Sequence, residues 1–465
     1  MKGFRDERVI QMERFGIKFD IKNIPELDKQ FAPMSLFTKA FLKNAKKPIS
    51  ICVQRNNQLC SVYDTFITGE NKESDFLYVE RTVKNLLWLK GGYRVIICGD
   101  DEIANRIKTA YGKKGIRSFD NEFFTSLYEQ EFEVVSKPLS EKPTQNEAPM
   151  SVGGSLSGCR IGFDAGGSDY KVAAVIDGEV VYGEEIVWNP KVMPDPDYHY
   201  DKIVGALKTA ASKMPCVDSI GISSAGIYVN NRTMVASLFL KVPKDDFEAK
   251  VKDIYIRAAK EMGDVPLVVV NDGDVAALAG AAALSDNGVL GIAMGTSQAG
   301  GFVDENGYIT GWLNELAFAP IDVSEHAVTD EWSGDIGCGV KYFSQDAVIK
   351  LAKSVGIELD ENLTPGEKLK IVQGMLEKNA PEARKIFTSI GCYLGHALPY
   401  YHEFYKFKHV LLLGRVMSGD GGNIIAEVAK RVIEDEYPEY AFNIHVPDEK
   451  SRRLGQSVTA ANIII

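Results

Sequence analysis

Apolar and polar positions fall into blocks whose period changes along the chain. In PISICVQRNNQLCSVYDTFI two apolar runs flank Asn56-Asn57, the pattern of a β-hairpin. YRVIICGDDEIANRIKTAYGKKG reads as a strand over 93–98, a turn at Gly99-Asp100-Asp101, and a helix with Ile103, Ile107 and Tyr111 on one face. From residue 159 onward short apolar runs recur, each closed by Gly, Ser, Asp or Asn: CRIGFDAGG, DSIGISSAG, PLVVVNDGD, GVLGIAMGTS and HVLLLGRVMSG. Runs this apolar suit strands buried on both faces. In open α/β sheets, ligands collect at the C-terminal ends of such strands. KVAAVIDGEVVYGEEIVW adds strand, Asp177-Gly178 turn and strand.

The pattern stops once. Residues 136–158, SKPLSEKPTQNEAPMSVGGSLSG, are rich in Pro, Gly and Ser and nearly devoid of large apolar side chains, which predicts a linker. The expected domains are an N-terminal α/β domain over 1–135, whose role the sequence does not assign, then two lobes over 159–290 and 291–465. A chain of 465 residues has room for several cores. With 45% hydrophobic and 25% charged residues it is not a mostly disordered chain. No apolar stretch is long enough for a membrane span and the N-terminus lacks a signal core, so a cytoplasmic protein is expected. The net charge of −11 disfavours nucleic acid as a partner, although the acidic excess lies entirely beyond residue 158. The seven cysteines form no CxxC pair, which argues for free thiols rather than disulfide, zinc or iron–sulfur frameworks.

Four segments carry candidate chemistry. Asp164 closes an apolar strand ahead of Gly166, Gly167 and Ser168. Glycines there let backbone N–H groups approach a phosphate, and an acid beside them can hold Mg²⁺ through water. Gly295, Thr296 and Ser297, with Gly300 and Gly301 beyond, form a second such turn. Asn271-Asp272 end the strand VVV and open a small-residue helix. Asp272 at that edge can take a proton from a hydroxyl, or the pair can simply cap the helix. Gly414 and Gly419, in GRVMSGDGG, lie in a strand-to-helix turn that an adenine or ribose could approach.

In this order the segments of residues 159–465 resemble the ROK family of sugar kinases, within the actin/hexokinase/heat-shock-70 ATPase superfamily. Asp164–Ser168 is similar to the family's first phosphate motif, with Ser168 in place of Thr. SIGISSAGIYVNNRTMV is similar to the segment in which Pro-Gly is usual where Ser224-Ala225-Gly226 stand here. Asn271-Asp272 resembles the Asn-Asp pair whose Asp is the general base, Gly295–Ser297 the second phosphate motif, and Gly414–Gly422 the adenosine turn. RRLGQSVTAANI is similar to the closing helix, with Gly455 and Ala460 at its close-packed positions.

The resemblance implies a two-lobed actin-like, ribonuclease H-like α/β fold with an added N-terminal α/β domain. It implies lobes enclosing ATP and Mg²⁺, a small-molecule sugar substrate, and a possible homodimer. It assigns Asp272 as catalytic base. Asn271 and Glu315 become substrate contacts. Asp164, Gly166, Gly167, Ser168, Gly295, Thr296, Ser297, Gly414 and Gly419 become ATP contacts, with Asp164 also near the metal. The family's sugar-binding His and Glu are replaced by Phe318 and Val340, and of its cysteine-rich zinc motif only Gly337-Cys338 survive, so no zinc is expected. His326 is a remote candidate for the missing His. The expected activity is ATP-dependent phosphorylation of a hydroxyl on a sugar or sugar-like molecule. A sugar-responsive transcriptional regulator of the ROK type, or a sugar-binding protein with weak catalysis, are the alternatives.

Overall fold

Strand Cys159–Ala165 is buried at all seven positions, as its unbroken apolar run requires of a central strand. In a computed structural model of the chain, which describes residues 9–150, 157–447 and 459, it sits in a five-stranded sheet. The order is Leu267–Asn271, Ser219–Ser224, Cys159–Ala165, Asp169–Ile176, Glu179–Val187. The first three strands run parallel and the last two antiparallel. The turn joining the last two holds Asp177 and Gly178 at φ 50° and 84°, the left-handed geometry that an Asp-Gly hairpin favours. The outer strand is mostly exposed and carries Glu179, Glu184 and Glu185, charges that discourage edge-to-edge pairing. Helices Pro196–Ala211 and Ile254–Lys260 bury Ile203, Leu207, Ala210, Tyr255 and Ala258 against Ile161, Phe163, Ile220 and Ile222.

The chain divides into two compact units. This sheet belongs to the unit made of Pro149–Gly291, Gly301–Gly311 and Pro447–Ile465. The other is Met1–Ala148, Ile292–Gly300 and Trp312–Val446. In the latter, the hairpin around Asn56-Asn57 forms, with strands Lys47–Gln54 and Cys60–Ile67. Its turn places Asn57 and Gln58 at positive φ. These strands join Arg94–Cys98 and Glu133–Lys137 in a four-stranded mixed sheet. Helix Asp101–Ala110 follows the Gly99 turn as the pattern predicts. Asp100 caps it by accepting from the Ile103 N–H at 2.8 Å, and Ile103 and Ile107 are buried. A further sheet has the order Gln298–Val303, Val289–Met294, His409–Leu413, Asn443–His445.

The N-terminal segment is not separate from residues 312–446. Helix Lys72–Lys90 buries Glu80, Arg81 and Lys84; Arg81 and Lys84 meet Asp335, while Glu80 pairs with Arg81 and Arg117. Arg81 and Lys84 lie 3.0 and 3.1 Å from the Asp335 carboxylate, and Arg117 reaches it as well. Lys84 also pairs with Asp120, which accepts from the Trp88 indole. The excess of nearby cations holds the Asp335 carboxyl below its usual range despite its burial. Burying so many charges is tolerable only because each has partners, so the network fixes which segments pack together.

Residues 136–150, the first part of the stretch read as a linker, are tied down rather than free. Ser136 and Lys137 end a strand, Lys142 pairs with Asp64, and Asn146 exchanges backbone hydrogen bonds with Cys60. Glu147 receives Arg55, Ser61 and the Trp312 indole. Low apolar content did not prevent ordering, because polar and backbone bonds to one sheet satisfy residues 136–147, and Met150 exchanges backbone hydrogen bonds with Ile309. Among the described residues no helix is long and apolar enough to cross a membrane. The closing-helix segment RRLGQSVTAANI lies outside the described residues, apart from Thr459.

Candidate functional site

The hairpin Cys159–Ala165/Asp169–Ile176 pairs Asp164 directly with Lys171, and the neighbouring parallel strand pairs Asp164 with Ser223. Directly paired residues share a face of the sheet. The Ser223 hydroxyl therefore donates to Asp164 Oδ1 at 2.7 Å, and Lys171 Nζ lies 3.7 Å from Oδ2. Asp164 is buried, and loss of water raises its carboxyl above the usual range while Ser223 and Lys171 pull it back. Lys171 also donates to Asp169 at 2.9 Å. Burial opposes its charge, but Asp169 and Asp164 hold the ammonium above its ordinary value.

Between the two strands, Gly166, Gly167 and Ser168 form the turn. A side chain at Gly166 would begin 2.6 Å from the Asp169 carbonyl, so only glycine fits. The Gly166 carbonyl accepts from the Trp188 indole at 2.8 Å, which braces the turn from below. Gly167 and Ser168 are exposed, and a methyl at Gly167 would lie 3.0 Å from Lys191 Cε. The turn thus offers bare backbone, with Lys191 beside Gly167 and Lys171 held by Asp164 and Asp169 at the strand ends.

Asp272 is the first residue of helix Asp272–Leu284, directly after strand Leu267–Asn271. Its carboxyl is pushed up to about 6, first by loss of water and then by the negative charge of Asp164; the Gly273 N–H and the Lys191 charge act in the other direction. A carboxyl poised there is an effective proton acceptor near neutral pH. Asn271 is the cap of this helix. Its side-chain oxygen accepts from the Gly273 N–H at 2.7 Å, and its amide donates to the Gly226 carbonyl at 2.7 Å. Capping and positioning coincide: Asn271 fastens the 224–226 segment to the helix that carries Asp272.

These residues, 164, 166–168, 271 and 272, are gathered in one unit; Gly295–Ser297, Glu315, Gly414 and Gly419 belong to the other. Thr296 and Ser297 are exposed at their hairpin turn, whose Gly295 carbonyl accepts from the Gln345 N–H at 2.9 Å. Gly414 has φ 95°, and a side chain there would begin 2.3 Å from the Met294 carbonyl, so the turn is pressed onto that strand. Gly419, at φ 67°, faces open space at the start of helix Asp420–Glu436. Beside that helix start, Arg384, Asn379, Asp420 and Asn423 line a cavity of about 230 Å³.

Glu315 is half-buried, with its N–H donating to the Trp88 carbonyl. Phe318 is buried between Trp88 and Trp332, at ring-centroid distances of 4.2 and 5.0 Å. The position held by His in the resemblance is therefore part of an aromatic cluster. Val340 starts a short helix, Cys338 is buried beside Asp335, and His326 is exposed.

Lys171 and Lys191 were missed by the motif reading. The first was legible, because pairing the strands around Gly166–Ser168 sets Lys171 opposite Asp164. Lys191, in the turn Pro190–Val192, carries no sequence signal, since only the folded sheet brings it to Gly167.

No protein-family model matches the chain, and a search of curated proteins finds no match. Solved structures do match. The ROK hexokinase from Thermus thermophilus aligns over 65% of this chain and 97% of its own, at 17% identity and a TM-score of 0.51. A ROK glucokinase from Streptomyces griseus, in complex with glucose and AMPPNP, aligns over 65% and 98% at 19% identity and 0.46. A ROK transcriptional regulator, a homologue of the E. coli MLC protein, aligns over 65% and 77% at 16% and 0.48. The Thermus likeness establishes a ROK sugar-kinase-like fold for about two-thirds of the chain.

Proposed function

We propose that this protein transfers the γ-phosphoryl group of ATP to a hydroxyl of a sugar or sugar-like small molecule in the cytoplasm. The observation that carries the reading is the grouping, in one unit, of Asp272, with its carboxyl near 6, a glycine turn with Lys191 beside Gly167, and Lys171 against Asp164. Asp272 accepts the hydroxyl proton as the oxygen bonds to phosphorus and the bond to the β-phosphate oxygen breaks, leaving ADP. The N–H groups of Gly166–Ser168 and the two lysines hold phosphate oxygens. Such positioning and charge neutralisation supply most of the catalysis in phosphoryl transfer.

The donor set suits Mg²⁺, because two neighbouring carboxylates whose charges oppose each other's ionisation gain from a divalent cation. When bound, Mg²⁺ neutralises phosphate charge. Asp164 would hold it through water, and Ser223 fixes the orientation of that carboxylate. Asn271 keeps Asp272 in register. Glu315 is proposed as an acceptor contact, and Gly295–Ser297, Gly414 and Gly419 as nucleotide contacts. Phe318 and Val340, in place of the resemblance's His and Glu, favour an acceptor unlike glucose.

ADP release over a panel of sugars tests the reading. Wild type is expected to turn over at least one, and Asp272→Asn to lose about 10²–10⁴-fold of that rate. An unchanged rate in the variant would overturn the assignment. The apolar seat of Phe318 favours one second reading, sugar binding without turnover; it would show heat of binding but no ADP.

A further inference from the structure

At the N-terminal ends of the parallel strands, the edge opposite Asp164 and Asp272, three donor side chains converge. They are Cys159, at the start of its strand, with Cys216 and Asp218 from the segment entering Ser219–Ser224. Their ligand atoms all lie within 4.8 Å of one another, and Cys216 Sγ is 3.8 Å from each Asp218 carboxylate oxygen. Bonds of about 2.3 Å to sulfur and 2.0 Å to oxygen in a tetrahedron set donor atoms about 3.5–3.8 Å apart. The thiols and the carboxylate are thus already near coordination spacing.

The carboxylate is held in place. Asp218 Oδ2 accepts from the Cys159 N–H at 2.7 Å, while the Asp218 N–H donates to the Cys159 carbonyl at 2.7 Å. These two bonds fix the carboxylate beside Cys216, with Oδ1 free of the Cys159 N–H bond. Gly158, at φ 92°, is required beside it, because a side chain there would begin 2.7 Å from Oδ2. Cys159 is buried, whereas Cys216 and Asp218 are exposed, so the cluster has one shielded donor and a solvent-facing entry. Two thiolates and a carboxylate leave a divalent complex with one excess negative charge. Arg160 feels the Asp218 and Asp177 charges and can offset it.

We propose that Cys159, Cys216 and Asp218 bind a soft divalent cation of the zinc class, with water in the fourth position. The ion would clamp the start of the central strand to the segment entering its parallel neighbour, a structural role remote from the phosphate turn. The expectation of no zinc rests on the Gly337-Cys338 stretch and on the absence of a CxxC pair; Cys159 and Cys216 are far apart in sequence, and only the fold brings them together with Asp218. The proposal is also independent of kinase activity.

The test uses the full-length chain, reduced and stripped with chelator, then titrated with Co²⁺ and, in competition with a chromophoric chelator, with Zn²⁺. One equivalent of Co²⁺ is expected to give a thiolate-to-cobalt charge-transfer band, and Zn²⁺ to raise the melting temperature. Cys216→Ser should abolish the band although six other cysteines remain. Asp218→Asn should weaken Zn²⁺ by more than the roughly 10–100-fold typical of changing a residue that only hydrogen-bonds a ligand. Both variants are expected to melt like metal-free wild type in chelator, which separates lost binding from lost folding. No band in wild type, a band that survives Cys216→Ser, or a Cys159–Cys216 disulfide in protein kept under reductant would overturn the proposal.

Discussion

Replacing Asp272 with Asn removes a charge while keeping the shape, and the structure sets opposite signs for its effects on stability and turnover. The folded carboxyl titrates at about 6 rather than 3.8. Between those values the folded chain binds more protons than the unfolded one, so stability falls as pH rises through this window and the deficit is complete above it. For a fully enclosed group the deficit is on the order of 3 kcal/mol. Asp272 is only half-buried, and solvent screening reduces this to about 1–2 kcal/mol. Asp272→Asn should therefore raise the melting temperature at pH 8 by about 1–2 °C. The gain should fade as the pH approaches 4. In the same preparation ADP release should drop by about 10²–10⁴-fold. Wild-type turnover should rise with pH through about 6, as the carboxylate becomes available. A variant less stable than wild type at pH 8, or a gain equal at pH 5 and pH 8, would refute the electrostatic account. Unchanged turnover would refute the base.

The remaining predictions test the scaffold and the phosphate turn. Asp335→Asn should destabilise by about 3–5 kcal/mol in urea titration, because Arg81, Lys84 and Arg117 lose their shared counter-charge. Phe318→His, which restores the residue of the resemblance, should cost about 2–3 kcal/mol rather than help, since the imidazole would sit between Trp88 and Trp332. Gly414→Val should lower stability by about 3 kcal/mol or more, through overlap with Met294 and a left-handed backbone, read by thermal melting. Lys171→Met should weaken ATP binding by about tenfold or more, the loss of one charged hydrogen bond. Unchanged nucleotide affinity would remove Lys171 from the phosphate site.

The chain's local pattern was enough to place the strands, the Asn56-Asn57 and Asp177-Gly178 hairpins, the Asp100-capped helix, and Asp164 and Asp272 at strand ends. Those features depend on residues a few positions apart, on burial period, on turn geometry and on caps, all of which are written locally. Even the Asp164–Lys171 pair follows from hairpin register. Other features arise only when distant segments meet. Polar bonds to one sheet hold residues 136–147 although their composition reads as a linker. Asp335 gathers cations from a helix some 250 residues earlier in the chain and so joins the N-terminal sheet to residues 312–446. Phe318 finds Trp88, Lys191 finds Gly167, and Cys159 finds Cys216 and Asp218. A charge, ring or thiol records in the sequence that it needs a partner. Which partner it has depends on the folded path of the chain, and only the tertiary structure contains that.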